Sequence, residues 1–247
     1  MATGLVSPYL KTTRAEEHLG HLRQAIYDFC QTNPCSLIGE EDVKNGLYRV
    51  SVKSTDPPER ISLIAGDLFY CLRSALDQLV WSLAKLSLPY PEHTQFPIFD
   101  RLNKETKRRF SQYTEGVPTA AVRIVDELQP HYRSDRAAIE SHLLWQLNFL
   151  CNLDKHTRIP VWGMVSDFYN VAPSALMPFV TFKNTDEMSE MVVPLERKDQ
   201  VNLNPRATVT VMFGDYSKGI AYDAIAIGRI YGFVTNDVLP RFARFFQ

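Results

Sequence analysis

The sequence predicts an α+β protein: a helical bundle built on a long central helix, with a small antiparallel sheet in the C-terminal half and a C-terminal helix. Three observations carry that expectation. From about Glu59 to Leu88 the apolar residues Ile61, Ile64, Leu68, Leu72, Ala75, Leu79, Leu83 and Leu86 recur in steps of three and four, the spacing of one buried helical stripe. Helical periodicity dominates everything up to residue 156. Beyond Thr157, short β-rich pieces alternate with Pro, Asn, Asp and Gly clusters, the pattern of antiparallel strands.

Taken in order, Ser7-Pro8 supplies an N-cap and a first-turn proline, and Leu19, Leu22, Ile26 and Phe29 keep helical spacing until Asn33-Pro34 stops it, so a helix is expected over 8–31. A short strand fits 46–53, and Asp56-Pro57-Pro58 punctuates the chain before the central helix, 59–88. The segment 89–100 carries three prolines and reads as an irregular connection. A basic helical stretch follows over 101–113, with five Lys or Arg between 101 and 109 against one Glu. Further helices fit 119–128, closed by Gln129-Pro130, and 137–156, where Ile139, Leu143, Leu147 and Leu150 face one way. The β-rich pieces are 158–165, 178–183, 190–195 and 207–213, expected to form a meander. The closing helix runs over 222–246 with Pro240 as a kink or break. One α+β domain is expected over 1–247, with 157 as the most defensible seam.

The 247 residues include 27 Lys and Arg against 28 Asp and Glu, a formal net charge of 27 − 28 = −1, which excludes a globally basic nucleic-acid wrapper and an acidic disordered tail. The N-terminal stretch lacks the apolar run of a signal peptide and no window reaches the length of a membrane span, so a cytoplasmic protein without a membrane partner is expected. Cys30, Cys35, Cys71 and Cys151 show no CxxC pair, and reduced thiols are the expectation. No dinucleotide, P-loop, zinc-protease, nucleophile-elbow or EF-hand motif is present, and no cofactor is expected. Gly214 and Gly219 mimic the outer glycines of a phosphate loop, but Ile220-Ala221 follows and a strand-ending turn fits better. His18 and His21 with Glu17 have a metal-like spacing on one helix, which a polar helix surface produces readily; no metal is expected.

One polar constellation stands above this background. On the central helix Asp67, Tyr70, Ser74, Asp77 and Trp81 run beside the apolar stripe, with Arg73 one turn from Asp77 and Gln78 next to it. On the helix ending near 156, Asn152, Asp154, Lys155 and His156 crowd the C-terminus. Arginine offers a planar fork for phosphate or carboxylate, histidine exchanges a proton near neutral pH, and Asn and Lys can hold an oxyanion, so these are parts of an acid–base phosphodiester site.

At these residues the chain resembles a set of bacterial proteins of undefined activity that share an "LRSALDxL" helix, an "FPI" loop, an "LQP" element and an "NxDKH" segment. Here these stand as Leu72–Leu79, Phe96-Pro97-Ile98, Leu128-Gln129-Pro130 and Asn152–His156. The helix, commonly RSALDH in that set, is similar in its Arg-x4-His spacing to the HEPN (higher eukaryotes and prokaryotes nucleotide-binding) ribonucleases. That resemblance implies a homodimer of helical bundles that binds RNA or a nucleotide and cleaves RNA without metal. It implies Arg73, His156 and Asp77 as catalytic residues, with Asn152, Lys155 and Gln78 binding substrate. The chain departs from the pattern at the histidine's place, held by Gln78, which hydrogen-bonds but cannot shuttle a proton. That family's signature allows four to six residues between Arg and His, so Arg14 with His21 and Arg136 with His142 also fit it, as chance allows in a chain with 17 Arg and 6 His.

The alternative expectation is a non-enzymatic structural, interaction or small-ligand-binding protein. Arg73 and Asp77 would then be an intrahelical pair within a buried polar network that includes Asn152 and Asp154, and Lys155 and His156 would complement the helix dipole.

Overall fold

In a computed structural model of the chain the described residues are 3–169, 171, 173, 176, 181–184, 189–203 and 205–247. The chain divides into two units, passing between them at 23/24, 59/60, 160/161 and 212/213.

The first unit, Met1–Arg23, Arg60–Pro160 and Phe213–Gln247, is mainly helical. Helix α1, Val6–Gln31, begins in it, and α2, Glu59–Ala84, is its spine. The stripe foreseen on α2 is buried from Ile61 to Leu83, together with Phe69, Leu76 and Val80. The helix is shorter than expected: Ser87 and Leu88 donate their amides to the Ala84 carbonyl, and Leu86 is exposed. Pro89 disfavours helical backbone at Leu88, which ends the run. Helices α3, Lys104–Tyr113, and α4, Thr119–Glu127, follow. The helix expected over 137–156 is two, α5, Arg136–Glu140, and α6, Leu143–His156. The break lies at His142, whose extended backbone and Nδ1, accepting the Leu144 amide proton at 3.2 Å, start a new helix. At the C-terminus α7, Ala224–Gly232, continues as a π-helical turn over Phe233–Val238 and a 3-10 helix over Leu239–Phe246, changing character next to Pro240. Ile227, Ile230, Val234, Val238 and Phe242 from this segment are buried.

The second unit, Gln24–Glu59 and Val161–Met212, holds most of the strands. These are β1, Cys35–Asp42; β2, Leu47–Ser54; β3, Val161–Tyr169; β4, Thr181–Asn184; β5, Ser189–Pro194; and β6, Arg206–Asp215, which runs on into the first unit to pair with β7, Ile220–Tyr222. The expected single meander is instead two sheets, ordered β1-β2-β5-β4 and β3-β6-β7. The first takes half its strands from the N-terminal half of the chain, because β2 pairs antiparallel with both β1 and β5. That pairing gives Leu37, Tyr48, Val50 and Val193 a shared apolar face that a meander of late strands would lack. Strands β1 and β7 were not foreseen: Cys35–Asp42 has no clean alternation, and Ile220–Tyr222 is three residues long. The expected strand 178–183 is described only from Thr181; residues 178–180 lie outside the described residues. The turn between Gly214 and Gly219 closes β6 onto β7.

Among the described residues all four cysteines are free thiols, and no helix is long and apolar enough to cross a membrane.

Candidate functional site

Arg73 sits at the middle of α2 and is 5% exposed. Its Nη2 donates to the Phe96 carbonyl at 2.5 Å and lies 3.2 Å from Asp77 Oδ1. Asp77 Oδ1 in turn accepts the Phe96 amide proton at 2.9 Å. One turn of α2 therefore grips both backbone groups of a single loop residue, and Phe96 itself is fully buried. Burial pulls the Arg73 pKa down, opposed by the Asp77 carboxylate; burial pushes the Asp77 carboxyl up, opposed by Arg73. The guanidinium keeps its charge, since arginine is not deprotonated in proteins. Its Nη1 is buried without an acceptor among the described residues.

Gln129 completes the hold on the same loop. Its amide donates to the Pro97 carbonyl at 2.8 Å and the Val125 carbonyl at 2.9 Å, and its Oε1 accepts the Phe99 amide proton at 3.0 Å. The Gln95 amide reaches the Tyr113 carbonyl, and the Phe99 carbonyl accepts from His131. The "LRSALDxL", "FPI" and "LQP" elements are thus joined by hydrogen bonds that satisfy a buried, proline-interrupted loop which cannot satisfy itself. Neither the role of Gln129 nor the loop as its target was legible from spacing.

The remaining expected residues lie elsewhere. Gln78 accepts the Ser7 hydroxyl proton at 2.6 Å, a tie between α1 and α2, and donates weakly to Ser74. On α6, Cys151 and Lys155 stand one turn apart on the flank whose charges reach Arg73 and Asp77. Burial pushes the Cys151 thiol up, opposed by Lys155 and Arg73. Asn152 and His156 stand one turn apart on a flank rotated by about 100°. Arg73 and Asp77 are therefore brought together, and Lys155 is near them, while Asn152 and His156 open into a different space. Asp154 does not join Arg73; its carboxylate lies against Gly66 of α2, where burial and the neighbouring Asp67 push its pKa up. His18 faces Asp67, and burial lowers its pKa. Among the described residues no three His, Cys, Asp or Glu side chains assemble to hold a metal.

The space that Asn152 and His156 line is a groove of about 360 Å³ along α6, bounded also by Trp145, Asn148, Phe149, Thr157 and Lys218. Trp145 and Phe149, one turn apart, stack with ring centroids 5.2 Å apart and planes 8° apart. The Arg136 guanidinium covers Trp145 at 5.3 Å while pairing with Asp100 and Glu140. Lys218 shares its charge with Asp215 at 2.7 Å. The aromatic pair had a sequence signal in its i,i+4 spacing; Lys218, 62 positions beyond His156, had none. The basic stretch is weaker than its composition suggests: Glu105 pairs with Arg108 and Arg109, which hold its carboxyl at about 2, and Arg101 lies 4.0 Å from Asp100. No protein-family model, curated protein or solved structure matches this chain.

Proposed function

We propose that this protein binds a nucleotide, free or within single-stranded RNA, in the groove along α6 and does not cleave it. The observation that carries this reading is the commitment of Arg73: its guanidinium is buried, spent on the Phe96 carbonyl and Asp77, and on the other flank of α6 from His156. Phosphodiester cleavage by general acid–base chemistry needs a cation and a proton-transfer group around one phosphate. Arg73 and His156 do not supply that within one chain. The groove instead has the makings of a binding site. Phe149, half-buried and stacked on the buried Trp145, offers an apolar ring to a base, Asn148 and Asn152 offer amides able to read a base edge, and Lys218, shared with Asp215, stands beside His156 as a cation. One chain supplies all of these, so the reading needs no homodimer.

The test is anisotropy of a labelled single-stranded RNA titrated with the protein in EDTA, with the RNA afterwards run on a denaturing gel. The wild type is expected to bind with a salt-dependent affinity and leave the RNA intact. Asn152→Ala and His156→Ala should each weaken binding about tenfold, equal to about 1.4 kcal/mol. Cleavage that disappears in folded Arg73→Ala and His156→Ala proteins would restore the catalytic reading. Absence of binding by the wild type would end the nucleotide reading.

A further inference from the structure

We infer that a single-stranded RNA with one nucleotide in the α6 groove continues along α3, where Lys104 and Lys107 take its phosphates and a second groove beside Arg108 receives a further nucleotide. This rests on the α6 reading and extends it from a nucleotide to a strand. The chain carries −1 in all, while Lys104–Tyr113 holds four Lys and Arg against Glu105, a local 4 − 1 = +3, which leaves −4 on everything else. A polyanion is repelled by most of such a molecule and drawn to that helix.

Helix α3 carries that charge on a face with no packing task. None of its ten residues is buried. It is held from the other side: the Tyr113 ring stacks on Phe99 with centroids 6.3 Å apart, the Gln95 amide donates to the Tyr113 carbonyl, and Asn103 and Thr106 close a capping box at its start. Lys104, Lys107, Arg108 and Ser111 follow at i, i+3, i+4 and i+7, so they share the outer face. Arg108 is drawn aside by Glu105, which also pairs with Arg109. Lys104 and Lys107 are exposed and make no ion pair among the described residues, so both ammonium groups are open to phosphate.

The α6 groove and α3 adjoin. Arg136 covers Trp145 of that groove at 5.3 Å and donates to Asp100 at 3.1 Å, and Asp100 lies just before Asn103, the α3 cap. Arg136 is matched by Asp100 and Glu140, so it marks the junction without adding net charge. Arg101 stands at the same junction, 4.0 Å from Asp100. At the far end of α3 a groove of about 810 Å³ opens between α3 and α4, with Arg108, Ser111 and Gln112 on one wall and Thr119 on the other. The half-buried Phe110 ring lines it as well, and Glu115 is the carboxylate on its wall. A ring for stacking, with hydroxyls and an amide for a base or ribose beside a cationic face, suits a single strand. Lys104 and Ser111 are about 10 Å apart along the helix, so a strand of several nucleotides is needed to use both grooves.

Labelled random-sequence single-stranded RNAs of about 4 and about 12 nucleotides should be titrated with the full-length protein by anisotropy, in EDTA and over a range of salt. The long RNA is expected to bind at least about tenfold tighter than the short one. Lys104→Gln with Lys107→Gln should bring the long RNA down to the affinity of the short one and lower the slope of log affinity against log salt by about 1.4. The short RNA and the melting temperature should not respond to that pair. Lys44→Gln with Lys53→Gln, the same charge loss on exposed lysines of the second unit, should behave as wild type with both RNAs. Equal affinity for the two lengths, or a long RNA that ignores the α3 pair or responds equally to the control pair, would overturn the α3 track; the α6 reading would stand as long as His156→Ala weakens the short RNA. Long-RNA binding that needs the α3 pair but ignores His156→Ala would overturn the α6 reading and the continuity between the grooves. Failure of both RNAs to bind would end both.

Discussion

The carboxylate of Asp154 occupies the notch that Gly66 leaves in α2: a Cβ built on Gly66 would stand 2.5 Å from Asp154 Oδ1 and 2.7 Å from Oδ2. The two helices approach this closely only because residue 66 has no side chain. In a free helix Gly→Ala gains about 1 kcal/mol. Here that gain should be lost or reversed, since the added methyl must turn the Asp154 carboxylate, the far end of its side chain, out of the notch. In an Asp154→Ala background the same substitution should become stabilising. Urea denaturation of the four proteins of this double-mutant cycle measures the reversal, and purely additive effects would refute it.

Asp154 also predicts a pH dependence. Its folded pKa lies above the ordinary value of 3.8 because of burial first and Asp67 second. Between the unfolded and folded values the folded chain holds more protons, so this residue's contribution to stability is present at low pH and is lost as pH rises through the folded pKa. Asp154→Asn should therefore be more stable than wild type at neutral pH, and the difference should shrink towards pH 4. Melting curves recorded across that range provide the check.

Arg73 predicts a stability effect in place of an activity effect. Arg73→Ala leaves the Phe96 carbonyl and the half-buried Asp77 carboxylate without their partner, a loss of about 3 kcal/mol. Asp77→Asn should cost less, because its amide oxygen still accepts the Phe96 amide proton. Gln129→Ala removes the hold on Pro97 and Phe99, and its cost should not add fully to that of Arg73→Ala, since both act on one loop. Chemical denaturation of the single and double variants tests this, and an Arg73→Ala protein as stable as wild type contradicts it.

His142 works with the opposite sign from Asp154. Its folded pKa, about 4, lies below its ordinary 6.5, because of burial first and Arg133 second. The folded chain binds fewer protons between those values, so stability falls as pH drops from 6.5 towards 4. Over that window the loss is on the order of 2–3 kcal/mol. His142→Asn preserves a capping acceptor and should flatten this part of the profile. Thermal melts between pH 4 and 7 would show whether it does.

Much of this protein was legible in its sequence wherever a local rule sufficed. The stripe from Ile61 to Leu83 determined α2, Asn33-Pro34 determined the end of α1, and the turn residues between Gly214 and Gly219 determined the closure of β6 onto β7. Arg73 and Asp77 were readable as a pair because four residues make one helical turn. Tertiary structure alone decided what that pair does, since its target, Phe96, lies some twenty residues away in a loop with no periodicity. It also decided that β2 pairs with β5 across more than a hundred residues, that a histidine cap divides 136–156 into two helices, and that Asn152 and His156 face a groove shared with Lys218. Helix periodicity is a property of neighbours along the chain, whereas the partner of a buried polar group is whatever the packed fold brings within 3 Å of it.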